Sequence, residues 1–549
     1  MNYTHSFSVS GTIVDVVNNR LYNGVMTISN NRLIAITETD QVDKQFIIPG
    51  FIDSHVHIES SMLMPSEFAR LASVHGTVAT VSDPHEIANV LGVDGVKFMI
   101  SNGRKVPFKF FFGAPSCVPA TPFETSGSII SVEQVEELLA MDEIYYLSEM
   151  MNFPGVLNGD KDVYAKLASA VKYNKPTDGH APGVKGDDAK QYAAAGITTD
   201  HECFTISEAV DKIKFGMQIL IREGSAARNF DDLIGLLENH ADSVMFCSDD
   251  KHPDDLVKGH INLLVKRAVA LGYDPLVVLK CCSFNPVQHY KLPVGLLQVG
   301  DYADFAIVND LTNFDVLETY INGVKVAENS STNISSVKEE PLNIFEAKKI
   351  VELDIAVPAK SDQIKVIKAY DGQLITDIML ADAPVCKDAL YSDPKRDILK
   401  IVVLNRYAPS KPAVAFINGF GFQRGAIAST VAHDSHNIIA VGVCDDEIVR
   451  AINFLIDSGG GISLVDGNEI KLLPLSVAGL MSNSDGYQVA SMYELINQAA
   501  HTLGSKLNSP YMTLSFMALL VIPSLKLSDK GLFDGNNFSF TSVYNNSEM

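Results

Sequence analysis

Polar and apolar positions divide the chain into three stretches of different rhythm. Up to residue 50, apolar residues come in short runs, as in "GTIVDVV", "GVMTIS" and "RLIAITE". Asn-Asn and Asn-Gly break these runs. Short apolar or alternating runs bounded by turn formers predict strands and hairpins. The same rhythm returns over residues 300–327 in "GDYADFAIVND" and "LETYINGVKV", again with an Asn-Gly turn signal. Neither segment has enough strands to bury a core alone. The two are therefore expected to pair as one small, split β domain, residues 1–47 plus 295–328.

The middle, residues 48–294, changes period repeatedly. "FIIPGFIDSHVH", "TVATVSDPH", "EIYYLSEMM", "KPTDGHAP", "GITTDHECF", "KFGMQILIREG" and "SVMFCSDDKHP" read as strands. "PSEFARLASVHG", "SVEQVEELLA" with Ser131 as N-cap, and "LVKGHINLLVKRAVALG" have helical period. Strand and helix in alternation over about 250 residues predict an α/β fold, a (β/α)8 barrel. In most of these pieces the polar cluster falls at the strand's C-terminal end, where such barrels carry their chemistry.

Residues 329–345, "NSSTNISSVKEEPLNIF", read as a linker. Residues 346–549 supply further apolar strands ("IKVIKAY", "KIVVLNRY", "PAVAFINGFG", "NIIAVGV") and helices ("EIVRAINFLIDSG", "MYELINQAAHTLG"). They predict an additional C-terminal domain, α/β or α+β. No repeat of fixed period occurs.

Composition adds exclusions. A net charge of −23 argues against nucleic acid or an anionic membrane as partner. No apolar run approaches the ~20 residues of a membrane span, and the N-terminus lacks the pattern of a secretory signal. The seven cysteines are scattered without a CxxC pair, which fits a reducing cytoplasm.

The chemistry concentrates at strand ends. His55 and His57 close the first strand, Glu149 ends "IYYLSE", His180 "KPTDGH", His201 "GITTDH" and Asp249 "SVMFCSD". In a strand, residues i and i+2 share a face, so His55 and His57 can hold one ion together. His180 and His201 can serve a second. Glu149 is the natural bridging carboxylate, and Asp249 can ligate weakly and face a bound water. All six are good donors for divalent first-row metals. The competing reading is a set of polar residues at loop entrances, some capping helices. HExxH, the PCxxC of zinc deaminases, the Walker lysine and GxSxG are all absent.

Other polar motifs follow the same strands. "VSDPHEIANV" carries Asp83, His85 and Glu86, suited to polarising a substrate or holding an accessory ion, or simply to a Pro-initiated helix start. "IREGSAARN" offers Arg222, Glu223 and Ser225 for hydrogen bonds to a ligand, or an ordinary loop salt bridge. "VAHDSHN", with His433, Asp434, His436 and Asn437, is open between the barrel mouth, a partner subunit and a structural role.

"PGFIDSHVHIESS" resembles the first-strand signature of the amidohydrolase superfamily. The finer resemblance is to the adenine deaminases of microbes. It rests on "HVHIESSML", "VSDPHEIANVLG", "LSEMMNFPGVLNGD", "DGHAPGV", "GITTDHE", "IREGSAARN", "CSDDKHPDDL" and "GFGFQRGAIASTVAHDSHNIIAVG", from about residue 45 to 465. It implies a distorted (β/α)8 barrel and a site of two divalent metal ions, manganese or iron, with zinc a further option. His55, His57, Glu149, His180, His201 and Asp249 match the expected ligands. It also implies hydrolysis of adenine to hypoxanthine and ammonia for purine salvage in the cytoplasm, by a homodimer or larger homo-oligomer.

In the expected chemistry Asp249 moves the proton of the attacking water, and Glu59, Glu86, Glu202 or Glu223 protonates the purine ring. Arg222, Glu223, Ser225, Asp83 and His85 are the candidate substrate contacts. The rival readings are an amidohydrolase acting on a cyclic amide, disfavoured by Glu149 where a carboxylated lysine would stand, and a non-catalytic metal-binding protein.

Overall fold

The computed structural model describes residues 6–225 and 227–545. The ends of the predicted outer domains (1–5 and 546–549) and position 226 of "IREGSAARN" lie outside the described residues.

Eight parallel strands form the central barrel: Phe51–Val56, Thr77–Ser82, Lys109–Ala114, Ile144–Met150, Thr177–Gly179, Thr199–Asp200, Gln218–Arg222 and Val244–Cys247. The ladder is continuous over the first five and over the last three. A bridge between Thr177 and Ile197 links the two runs, and one between Val56 and Asp249 closes the ring. The barrel is distorted because its fifth and sixth strands have only three and two residues. Gly179 in the fifth is required by close approach: a Cβ there would lie 2.4 Å from the Thr199 carbonyl oxygen.

Strands Ser6–Asp15, Arg20–Ser29, Arg32–Glu38 and Phe46–Pro49 join Phe305–Val308, Val316–Ile321, Val324–Glu328 and Ser331–Thr332 in one eight-stranded sheet. The seam is antiparallel, with Ile48 opposite Ala306. Ile13, Met26, Ile47 and Phe305 fill its own core.

The helical period over 256–272 does not give one helix. The chain forms Pro253–Lys258 and Ile261–Ala270, broken at Gly259. The break turns His260 inward, where its ring meets Thr77 Oγ1 at 2.7 Å and Asp53 Oδ2 at 2.8 Å. The Ser131 helix starts as expected, with a reciprocal capping box to Gln134.

Residues 329–345 are a pinned strap rather than a loose tether. Arg70 Nε donates to the Ile334 carbonyl (3.1 Å), Asn102 Nδ2 to Glu339 Oε1 (2.9 Å), and Asn343 Nδ2 to the Gly459 carbonyl (2.6 Å).

The C-terminal region builds an eight-stranded sheet whose neighbours are antiparallel, except for Gln363–Lys368 beside Ala413–Asn418. Helix Asp445–Ser458 packs Ile448, Ile452 and Leu455 onto one face of it. This is an α+β arrangement. One buried apolar cluster runs through both this region and the barrel, joining Val56, Phe68 and Met150 to Ile401, Leu480 and Phe516.

Candidate metal centre and active-site chamber

The barrel's C-terminal mouth is a buried chamber with a free volume of about 40 Å³. The first strand delivers His55 and His57 from one face, with Nε2 atoms 3.1 Å apart. His57 Nε2 lies 3.2 Å from Asp249 Oδ1. Asp249 reaches this place because its backbone is left-handed (φ 54°). That turn lets its N–H donate to the His55 carbonyl (2.9 Å) and its carbonyl accept from the His57 N–H (3.3 Å). Barrel closure thus sets the first and last ligand candidates side by side.

Glu149 sits between the halves. Its Oε1 is 3.4 Å from His57 Nε2. Its Oε2 is 2.8 Å from His180 Nδ1 and 3.1 Å from His201 Nε2. The rings of His55 and His201 stack with centroids 4.2 Å apart. The structure therefore brings all six predicted ligand residues into one cluster.

The donor set fits divalent ions. His55, His57 and Asp249 offer atoms within 4.8 Å of one another, and so do His55, Glu149 and His201. His55 Nδ1 is buried without a hydrogen-bond partner. Mixed imidazole nitrogen and carboxylate oxygen is the donor chemistry of first-row metals.

The supports are equally specific. Asp83 accepts His57 Nδ1 on its carbonyl oxygen (3.2 Å), fixing which His57 nitrogen faces the centre. Asp53 ties the first strand to the eighth, accepting from the Ser248 N–H at 2.9 Å. Arg222 donates to Asp249 Oδ2 (2.7 Å) and clamps both oxygens of Glu202. It clamps two carboxylates, the salt-bridge alternative left open by the sequence, and it also lines the chamber.

Two predicted contacts do not reach the chamber. Glu223 points to Arg267 (3.2 Å) along a separate cleft. Ser225 donates to Asp255 Oδ2 (2.7 Å) and accepts the His252 N–H. Glu59 stands behind the wall, accepting the Ile87 N–H (3.0 Å), and burial pushes its carboxyl up to about 7. His85, Glu86 and Glu202 do line the chamber.

The C-terminal region supplies the rest of the wall. His433 Nδ1 and His436 Nε2 each donate to one oxygen of Glu86. Burial favours the neutral acid, yet these two imidazoles and His85 hold Glu86 well below the ordinary carboxyl range. Asp434 lines the same wall, and burial together with the nearby Glu86 charge raises its carboxyl to about 6. Leu374, Phe516, Leu519 and Val521 form an apolar roof. The polar loop was visible as "VAHDSHN", with the barrel mouth one of the places open to it, but nothing local marked the roof residues as a roof.

Residues 46–326 match the amidohydrolase family, and residues 373–539 match the adenine deaminase C-terminal domain. A barrel of eight parallel strands with imidazoles and carboxylates at its mouth suits the first match, and the chain belongs to the amidohydrolase family. An adenine deaminase of Salinibacter ruber is 52% identical over 542 residues, covering 98% of this chain and 99% of that protein. One of Methanosarcina acetivorans is 51% identical over 546 residues, covering 97% and 99%. Within the amidohydrolases, the chain belongs to the adenine deaminases.

Proposed function

We propose that the chain hydrolyses adenine to hypoxanthine and ammonia at a centre of two divalent first-row metal ions, manganese or iron, with zinc as a substitute. The convergence of six donors at the barrel mouth, five of them buried and His180 partly so, carries this reading, supported by full-length similarity to adenine deaminases. His55, His57, Glu149, His180, His201 and Asp249 would hold the ions, with Glu149 between them. When bound, such a pair supplies a water acidified toward a pKa of ~7 and polarises the reacting carbon.

The chain's own groups do the rest. Asp249 stands with Oδ1 toward the centre and Oδ2 fixed by Arg222, placed to take a proton from the attacking water and hand it to the leaving amine. A C–O bond forms at C6, the C6–N bond breaks, and ammonia departs. The ring nitrogen needs an acid. Of the four glutamates considered, Glu86 and Glu202 line the chamber, whereas Glu59 and Glu223 do not. His85 lines the chamber, where it would face the purine, and Asp83 Oδ1 accepts its N–H. The apolar roof excludes bulk water, which strengthens each electrostatic contact inside.

The described cysteines are all unpaired, and no described helix is long and apolar enough to cross a membrane. Free thiols suit a reducing compartment, and the proposed setting of the reaction is purine salvage in the cytoplasm. The outer strand Asp377–Asp382 of the C-terminal sheet leaves Ile378 and Leu380 exposed, in keeping with a homodimer or larger homo-oligomer. The deciding experiment is loss of adenine absorbance with release of ammonia by protein loaded with manganese or iron. Metal-replete protein that leaves adenine untouched would sink the substrate assignment.

A further inference from the structure

Beside the six proposed ligands, a second group of donors faces the chamber. His85, Glu86 and Asp434 each offer one atom, and the three atoms lie within 4.8 Å of one another. None of the three is among the six; His85 stands at the seam between the two groups, its Nδ1 3.4 Å from Glu149 Oε1. His85 and Glu86 follow the second barrel strand, whereas Asp434 lies in the turn between strands Ala426–Ser429 and Ile438–Gly442 of the C-terminal sheet.

Glu86 is held on both oxygens by His433 and His436, but its two companions are left with unpartnered atoms. Asp434 Oδ2 and His85 Nδ1 are buried and have no hydrogen-bond partner, and neither has Asp83 Oδ2 beside them. His85, Glu86 and Asp434 are all at most 3% exposed. His85 Nδ1 lies 3.2 Å from Asp83 Oδ2 and 3.4 Å from Glu149 Oε1, while its Nε2 lies 3.5 Å from Glu86 Oε1. One imidazole thus has carboxylates on both sides. The protein cations at hand are committed: Arg222 to Glu202 and Asp249, and the imidazoles of His433 and His436 to Glu86. Buried carboxylates gathered this closely call for a cation.

The geometry points to an accessory divalent-cation site formed by His85 and Glu86 of the barrel and Asp434 of the C-terminal region. One imidazole and two carboxylates suit a first-row ion such as Mn²⁺, Fe²⁺ or Zn²⁺, with further positions open to water. His433 and His436 each hold one oxygen of Glu86, which fixes the orientation of its carboxylate. The C-terminal region thereby contributes a ligand that pins it to the barrel mouth. With Glu86 committed to the ion, Glu202 is left as the carboxylate facing the purine ring. The inference rests on the proposed two-ion centre only for the total count.

The test compares full-length wild type with Asp434→Asn, each stripped with a chelator, reloaded with excess Mn²⁺, desalted and analysed for metal. Wild type is expected to hold one ion per chain more than the variant, three against two. Equal metal content overturns the site. If the difference is one but the variant does not hold two, the two-ion centre fails while this site stands. Should Asp434→Asn not fold, titration of metal-free wild type followed by the Mn²⁺ electron paramagnetic resonance signal decides. Uptake of three equivalents supports the site, and saturation at two refutes it.

Discussion

Lys212 ties together three chain segments outside the chamber. It is fully buried, and its Nζ donates to Asp200 Oδ2 (2.9 Å), Glu208 Oε1 (3.1 Å) and the Ala181 carbonyl (2.7 Å). Asp200 in turn accepts the N–H of Glu202 (2.7 Å) and of Ala181 (3.1 Å), and Glu208 accepts that of Gly183 (2.8 Å). One ammonium therefore sets the loops that present His180, His201 and Glu202. Lys212→Met keeps the length of the side chain and removes the charge, leaving two buried carboxylates uncompensated. Breaking a buried pair in this way costs about 3–5 kcal/mol. For a barrel of about 250 residues that lowers Tm by roughly 6–20 °C.

Thermal denaturation followed by circular dichroism measures the shift, and metal retention is expected to fall with it. Burial raises the Asp200 carboxyl, but Lys212 more than offsets this and holds it below its ordinary 3.8. The contribution is thus full above about pH 4 and fades as pH drops through the lower, folded-state value. Adding Asp200→Asn to Lys212→Met should recover part of the loss, since the partner charge then disappears too. A single variant that melts within about 2 °C of wild type would refute the reasoning.

Other outcomes follow from the same geometry. Glu149→Gln should fail to retain a full metal complement and lose more activity than the ~10–100-fold typical of residues behind the ligands; full content and activity would remove Glu149 from the bridging position. Leu374 and Arg222 line both the chamber and a neighbouring cavity of about 380 Å³, and substrate is expected to enter between them. Leu374→Trp should lower kcat/KM about tenfold or more, ~1.4 kcal/mol, at unchanged metal content, and unaltered kinetics would place the entrance elsewhere. Lys526, buried and donating to the Leu374 and Phe516 carbonyls, has its ammonium pushed down from 10.5 to about 7 by burial. The penalty is full below about pH 7 and is relieved toward 10.5, so wild type should gain stability over Lys526→Met by up to ~1.4 kcal/mol per unit across that window. Parallel denaturation profiles at pH 7 and 9 would count against it.

How much could be read from the chain varies by element. Strand-end donors were legible because side-chain direction in a strand has a period of two: His55 and His57 must share a face wherever the strand lies. The alternation of strand and helix was legible for the same local reason. The helix break at Gly259 was not, because a helical pattern continues through it. What offsets that break is distant: the inward His260 contacts to Thr77 and Asp53.

By itself, then, the sequence determined the local elements, the donors at their ends and the likeness to a family. Tertiary structure alone decided which donors meet. It placed Asp249 against His55 by closing the barrel, turned Glu223 and Ser225 away to Arg267 and Asp255, and converted Arg222 into a clamp. It also brought His433 onto Glu86, 347 residues away along the chain, and set Asp434 in the same wall. Local periodicity orients a side chain, but only burial of one apolar cluster shared by the barrel and the C-terminal region fixes its distant neighbours.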